Sequence, residues 1–310
     1  GEEISYDCAL VATGARPRAL PVPGADLPEV MTLRSPEDAQ TIASQCTSGK
    51  RVVVVGSSFI GMELAGTLRR LGCEVTVLGM EKVPFERVLG RKLGDSIRSF
   101  FESKGVKFLG ETSVTEVRKV GTGLEALLRS GSKIACDAVV VGVGVTPNAD
   151  FVSGVEKARD GSIITDEFLR SSTEGLFAAG DVATYASPSS REALRVEHWD
   201  AAMSQGRVAA RNMLGEHVRF EVTPFFWTSL FGKNLRYVGF CPKFDDVIVE
   251  GDLAKLNFVA YYCFQGAIRA VATMARDPIA VAAAELMRMD AMPSASALRK
   301  GDASGSGLVV

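Results

Sequence analysis

The stretch Arg51 to Leu78, RVVVVGSSFIGMELAGTLRRLGCEVTVL, narrows the possible folds more than any other part of the chain. Arg51 to Val55 end in an unbroken Val run, the pattern of a parallel strand buried on both faces. Gly56 follows at once, then Ser57, Ser58, Phe59, Ile60 and Gly61, and then a helical pattern with Ile60, Leu64, Leu68 and Leu71 on one face. Glu74 to Leu78 reads as a second strand. Strand, glycine turn, helix and strand in this order form a βαβ unit, the context in which a glycine fingerprint is informative. Gly56 lets the chain turn sharply, and Gly61 lets the helix pack closely on the sheet. The free N–H groups at the helix start, around Phe59, Ile60 and Gly61, attract a pyrophosphate together with the helix dipole. Ser58 replaces the middle glycine of G-x-G-x-x-G; it is small enough for close backbone approach, and its hydroxyl can donate to phosphate. The unit predicts a Rossmann-like dinucleotide site, against the plainer alternative of an ordinary crossover with a glycine turn.

The second strand departs from the pattern. An acid is expected at its end, about 20 residues past the glycines, to bind the ribose 2′-hydroxyl. Gly79 stands there and Glu81 is the nearest carboxylate; Lys82 and Arg87 follow, and would suit a 2′-phosphate. NAD and NADP both stay open, with NADH favoured through Glu81.

A chain of 310 residues has room for two or three domains. With 46% hydrophobic and 23% charged residues and a net charge of −2, it gives no reason to expect nucleic acid or an anionic membrane surface as partner. No apolar run reaches the length of a transmembrane helix. Cys8, Cys46, Cys73, Cys136, Cys241 and Cys263 form no C-x-x-C and sit mostly in apolar runs, as reduced thiols in an intracellular, reducing compartment would. Two histidines, His198 and His217, make a zinc site improbable, and no metal is expected.

Tyr6 to Gly14, YDCALVATG, reads as a buried strand running into a glycine turn, so the chain opens mid-fold and an N-terminally shortened protein is expected. Ser35 to Ala43 reads as a helix with Ser35 as N-cap and Pro36 at the first position. Arg91 to Lys104 is a second amphipathic helix, and Thr112–Val120 with Leu124–Arg129 form a hairpin. Ala138 to Val141 ends in GVGVTPN, whose Gly142 and Gly144 put bare backbone at the carboxyl end of a strand. Gly161–Asp166 and Leu176–Ala179 read as strands, Arg195–Leu214 as a helix, then four short strands from Leu235 to Met274, and a helix over Asp277–Met289. The Ser-, Gly- and Ala-rich tail from Ser294 reads as disordered.

In this order the pieces resemble the FAD-dependent pyridine nucleotide oxidoreductases. ATGARPR, Ala12 to Arg18, looks like the family segment near the flavin; TEGLFAAGD, Thr173 to Asp181, is similar to its second flavin motif; GVGVTPN looks like the loop closing the nicotinamide site. PFFWTSLFGKNLRYVGF, Pro224 to Phe240, is similar to the ferredoxin-reductase and apoptosis-inducing-factor types, and EHWDAAMSQGRVAARNML, FDDVIVEGDL and KLNFVAYY carry the apoptosis-inducing-factor likeness. The segment after Pro278 departs from the family pattern.

The resemblance implies an α/β fold, with a Rossmann-like nicotinamide domain inserted in an incomplete FAD domain and an α+β interface domain at the C-terminus. The boundaries expected are 1–34 and 151–218 for the FAD domain, 35–150 for the NAD(P) domain, 219–293 for the interface domain and 294–310 for the tail. By the same resemblance Asp181, after Gly180, would bind the ribityl chain, with Thr13, Gly14 and Arg16 near the flavin. Glu63 would approach the nicotinamide, Trp199 and Trp227 would lie against the flavin edge, and His198 would orient or hydrogen-bond rather than transfer protons. The implied activity is hydride transfer from NAD(P)H to FAD, with electrons passed to an iron–sulfur acceptor of ferredoxin or Rieske type. Full-length members of the subtype carry an N-terminal Rieske domain, and the family places such proteins in cytoplasm or mitochondrion. Two alternatives stand beside it. A dithiol–disulfide reductase would need C-x-x-C or a C-terminal His-Pro element, and both are absent. An NADH-sensing, apoptosis-related binding module would turn over slowly and form a homodimer when NADH binds.

Overall fold

The computed structural model describes residues 1–186 and 193–301. Taken in chain order, β1 (Ala9–Val11), β2 (Ala15–Pro17) and β3 (Val30–Thr32) lead to α1 (Pro36–Gln45). Ser35 caps α1 in a complete capping box: its side chain accepts from Asp38 N, and the Asp38 carboxylate accepts from Ser35 N. The βαβ unit follows as β4 (Arg51–Val55), α2 (Phe59–Arg70) and β5 (Glu74–Leu78). Then come α3 (Glu86–Ser103), β6 (Lys107–Leu109), β7 (Val114–Val120), β8 (Gly123–Leu128), β9 (Lys133–Cys136), β10 (Ala138–Val141) and β11 (Val145–Pro147). After these lie β12 (Ile163–Ile164), β13 (Leu176–Ala178), a 3-10 turn at Gly180–Val182, β14 (Ala183–Ala186), β15 (Ala193–Leu194) and α4 (Trp199–Met213). The last part holds β16 (Phe225–Leu230), β17 (Lys233–Gly239), β18 (Asp246–Asp252), β19 (Asn257–Phe264), β20 (Ala267–Met274), α5 (Ile279–Arg288) and α6 (Ala295–Lys300).

The central layer is a parallel sheet in the order β3-β10-β4-β5-β6. Val52 to Val55 and Ala138 to Val141 pair in register and are all buried, which is why both segments read as unbroken apolar runs. One core joins α1, α2 and α3 to this sheet and continues into Phe226, Tyr237, Phe258 and Tyr262 of the C-terminal sheet. That second sheet is antiparallel, in the order β16-β17-β20-β19-β18. Apart from these sheets stand a parallel pair, β1-β13, and an antiparallel ribbon, β11-β2, where the chain leaves the β1 region and returns to it. No helix among the described residues is long and apolar enough to cross a membrane.

Several local expectations need correction. Ile60 and Leu71 are 43% and 47% exposed, and Met62 and Ala65 take their places in the core beside Leu64 and Leu68. The second helix starts at Glu86, five residues earlier than its apolar pattern shows, because non-helical Gly90 (φ 76°) separates a first turn from the rest. α4 starts at Trp199 rather than Arg195, since Ala193 and Leu194 pair with β14. The tail is ordered at its start: Ser294 caps α6, Ala295 and Leu298 are buried against Val259, Tyr261 and Ile279, and Gly301 ends the helix in the left-handed region. Small-residue composition concealed a capped helix with an apolar face; residues 302–310 lie outside the described part.

Candidate functional site

The strand-to-helix turn is built from glycine backbone. Gly56 has φ +115° and its N–H donates to Leu78 O at 2.8 Å. A Cβ on Gly56 would stand 2.1 Å from Gly142 O, and one on Gly61 would stand 2.1 Å from Gly56 O. One on Gly142 would meet Gly61 N at 3.2 Å, with Ile60 Cγ2 beside it at 3.8 Å. The carboxyl ends of β4 and β10 and the start of α2 thus touch backbone to backbone, a cradle that any side chain would fill. Ser58 is the N-cap of α2, yet its side chain makes no cap bond, so the hydroxyl and the N–H groups of the first turn are left for a ligand. Gly144 sits one step along the neighbouring loop with φ +97°, its carbonyl accepting from Arg18 N at 2.9 Å.

Gly79 holds the strand-end position where an acid is expected. A Cβ on Gly79 would stand 2.6 Å from Ser57 Oγ and 3.2 Å from Phe108, so a side chain at the strand end would displace both. The following loop returns to the same turn, with Phe85 N donating to Ser57 O at 3.1 Å. Glu81 lies on that loop, held by Arg87 Nε at 2.5 Å. The two residues weighed for opposite coenzymes are therefore one ion pair.

The second half of the site lies at β1, β13 and α4. Gly180 (φ +79°) donates its N–H to Gln205 Oε1 at 2.6 Å. Gln205 is fully buried, and its Nε2 has no partner among the described residues, the mark of a polar atom waiting for a ligand or water. Asp181 has a side chain 16% exposed and faces the Arg34 guanidinium at 3.7 Å. Gly14 (φ +65°) lies under the same arginine, whose Nη2 would be 3.0 Å from a Cβ there. Arg195 reaches the turn from the other side, donating to Asp181 O at 3.2 Å while paired with Asp160 at 2.6 Å and Glu197 at 2.7 Å. Thr13 and Arg16 make their bonds to the segment that follows β11. Thr13 Oγ1 donates to Asn148 O at 2.6 Å, and Arg16 binds Asn148 Oδ1 and the Asp150 carboxylate. The guanidinium beside Asp181 is that of Arg34, which no sequence signal marks.

Strand β16 joins the two halves. His198, N-cap of α4, stacks on Phe226 with ring centroids 4.2 Å apart and planes 11° apart. Phe226 in turn meets Phe59, at the start of α2, edge to face at 4.8 Å. Burial pushes the His198 imidazole down to about 4, so it is neutral at physiological pH. Thr228 Oγ1, two residues on, donates to the Glu63 carboxylate. Trp227 between them points outward, 54% exposed, into a groove shared with Glu63; Trp199 is 67% exposed and does not line that groove. Arg34, Arg195, Gln205 and Thr228 went unread in the sequence, because each acquires its place only from strands and helices far away in the chain.

Residues 1–206 match the family model described as pyridine nucleotide-disulphide oxidoreductase, and residues 225–304 match the one described as reductase C-terminal. The chain belongs to the pyridine nucleotide-disulphide oxidoreductase family. The second match runs on past Pro278, so the closing segment lies within a known reductase module after all. Among curated relatives, apoptosis-inducing factor 3 of Homo sapiens is 39% identical over 292 residues, covering 93% of this chain and 48% of the relative. Putidaredoxin reductase CamA of Pseudomonas putida is 31% identical over 290 residues, covering 89% of this chain and 67% of that protein. The chain spans about half the length of the apoptosis-inducing factor 3 relatives it matches. Among solved structures, a ferredoxin reductase from Rhodopseudomonas palustris superposes with a TM-score of 0.89 at 31% identity, covering 94% of this chain and 72% of that one. The covalent putidaredoxin reductase–putidaredoxin complex gives a TM-score of 0.88 at 28% identity, covering 93% and 70%.

Proposed function

We propose that this family member is an NAD(P)H-dependent flavin oxidoreductase that passes electrons to an iron–sulfur protein. The observation that carries the reading is the Phe59–Phe226–His198 contact, which brings the amino ends of α2 and α4 to one place. α2 opens the first glycine-built half-site and α4 packs on the Gly180 turn of the second through Ala202 and Gln205, so two dinucleotides bound there would have their reactive rings near the same strand, β16.

The residues fit both groups. For NAD(P)H the Gly56–Gly61–Gly142 cradle leaves room for a pyrophosphate against the first turn of α2, with Ser58, Phe59 and Ile60 around it. For FAD the half-buried Gly180–Asp181 turn supplies a carboxylate acceptor for ribityl hydroxyls, braced by Arg34, Arg195 and Gln205. Bound flavin supplies the chemistry, accepting a hydride from NAD(P)H and releasing electrons one at a time. The chain's part is to orient and to exclude water: Phe226 and Phe59 wall the junction, neutral His198 offers no proton at pH 7, and Glu63 puts a carboxylate at the open side. NADH is the favoured coenzyme, through Glu81. The acceptor is of ferredoxin or Rieske type, because relatives bear names such as rhodocoxin reductase and ferredoxin–NAD(+) reductase component. A Rieske domain joined to the same protein is the acceptor we favour.

The test is anaerobic addition of NADH to the FAD-loaded protein. Bleaching of the flavin absorption, followed by reduction of an added ferredoxin, is expected; a flavin that stays oxidised under excess NADH and NADPH overturns the reading.

A further inference from the structure

Strand β16 alternates strictly: Phe226, Thr228 and Leu230 are buried, whereas Trp227 is exposed. Thr228 is the one polar residue on the inward face, 2% exposed. Its hydroxyl goes to Glu63 on α2, 165 positions away in the chain. A buried hydroxyl needs a partner, and a threonine placed among apolar neighbours solely to pack would gain nothing over valine. The partner is itself unusual. Among the described residues Glu63 is in no ion pair, although Arg70 lies two turns along the same helix face and lines the same groove. That groove, about 270 Å³, runs between α2 and the β16–β17 hairpin, with Glu63, Thr67, Arg70, Trp227 and Ser229 on its walls.

We propose that Thr228 is a positioning residue for Glu63, holding Oε1 across the gap between α2 and β16 so that Oε2 is kept as a fixed acceptor for the carboxamide N–H of a nicotinamide. The inference rests on the reading of the α2 start as the nicotinamide end of the site. Its logic is that of a half-satisfied acceptor. An ionised carboxylate has lone pairs for about four donors. A single protein donor on Oε1 orients the group, and the second oxygen accepts only when an amide donor arrives. Without Thr228 the Glu63 side chain regains its rotamers, and each binding event must order it again. Thr228 also ties the C-terminal sheet to α2, so the carboxylate is set by a different part of the chain from the glycine cradle.

The experiment is a double-mutant cycle on the full chain, with Thr228→Val and Glu63→Gln, read by calorimetric titration of NADH and by thermal unfolding. Valine keeps the shape and removes the hydroxyl, so the core is spared. Thr228 and Glu63 are already bonded in the free protein, so what binding loses without the hydroxyl is the ordering of one carboxylate side chain, about two- to tenfold in an equilibrium constant, and Thr228→Val is expected to raise the NADH Kd about fivefold. Thr228→Ser should return the Kd to within about twofold of the parent, and Thr228→Val should add little in the Glu63→Gln background. A Thr228→Val effect that is undiminished in the Glu63→Gln background, or a loss matched by Thr228→Ser, overturns the positioning role. Should Glu63→Gln weaken NADH while Thr228→Val leaves the Kd unmoved, the positioning role fails and the nicotinamide reading stands. If both variants bind NADH as the parent does, the nicotinamide end does not lie at Glu63, and the inference falls with that reading.

Discussion

The two glycine-built half-sites hold their shape by different means. At the α2 turn, Gly56, Gly61 and Gly142 touch one another's backbone, and the nearest atoms to any added Cβ are carbonyl oxygens and amide nitrogens that cannot move aside. At the α4 turn, an added Cβ on Gly180 would meet only Ala202 Cβ at 3.5 Å, and one on Gly14 only the tip of the Arg34 side chain. Polar side chains do the work there: Gln205 on the Gly180 N–H, Arg195 on the Asp181 carbonyl, Arg34 by the Asp181 carboxylate. A cradle of backbone is all-or-none, whereas a turn braced by side chains can be weakened in steps.

The largest expected effect follows from the first half-site. Gly61→Val puts branched carbon into Gly56 O, so α2 must lift from the sheet and the pyrophosphate cradle closes. NADH titration should show no saturation, a loss of at least about a hundredfold, or roughly 3 kcal/mol. Gly206→Ala is the control: nothing lies within 4 Å of its Cβ site, and alanine there should stabilise α4 by about 0.5–1 kcal/mol. A folded Gly61→Val protein with unchanged NADH affinity would remove the site from α2.

Next in size is Asp181→Ala. A charged acceptor that loses its ligand hydroxyls costs about 1.5–3 kcal/mol, so FAD affinity should fall roughly ten- to a hundredfold while the fold persists. The check is the flavin absorbance retained per chain after gel filtration. Full retention would place the flavin elsewhere than the turn braced by Arg34 and Arg195.

How much of each half-site the sequence disclosed follows the same division. The backbone cradle was legible because glycine spacing after a Val run is a local signal, and the Ser35 cap was legible for the same reason. The polar braces were not. Arg34 stands just before a capping serine, and Gln205 is one polar residue on an amphipathic helix; neither position hints at a partner 147 or 25 residues away. Likewise β2, β3 and β11 are three residues each, too short for a periodic signal; β2 and β11 exist because the chain crosses twice at one place, and β3 because β10 offers it an edge. Ile60 and Leu71 misled in the opposite direction, since the buried face of α2 is turned toward Met62 and Ala65 beside Leu64 and Leu68.

His198 offers a smaller, graded test at the junction of the halves. The folded protein keeps it neutral down to about pH 4, while an unfolded chain takes up a proton near the ordinary 6.5. The unfolded state therefore binds the proton first, and the contribution of His198 to stability is whole above about pH 6.5 and falls as pH drops toward 4. Between pH 7 and pH 5 the loss should be about 2 kcal/mol, and His198→Gln should remove that part of the pH dependence. Urea unfolding at the two pH values measures it; equal slopes in parent and variant would mean that the imidazole is not held neutral by its place against Phe226.

The smallest expected effect concerns the coenzyme, and it sharpens the contrast within the first half-site, where one element is side chain rather than backbone. Gly79 stands where an acid usually ends the second strand, and a side chain there would press on Ser57 and Phe108; the ribose reader proposed is Glu81, on a loop anchored at Ser57. Glu81 is held by Arg87, whose side chain is 77% exposed and free to swing once its partner is gone. An exposed ion pair of this kind contributes about 0–1 kcal/mol by itself, so its loss should leave the fold unchanged. Glu81→Ala should weaken NADH by about three- to tenfold, the worth of one or two hydrogen bonds to a ribose diol. It should also strengthen NADPH, because Arg87 and Lys82 then face a 2′-phosphate without a competing carboxylate. Calorimetric titration with both coenzymes gives the ratio directly. A parent protein that already prefers NADPH would reverse the assignment, making Arg87 the reader of the ribose end and Glu81 the group that holds it in place.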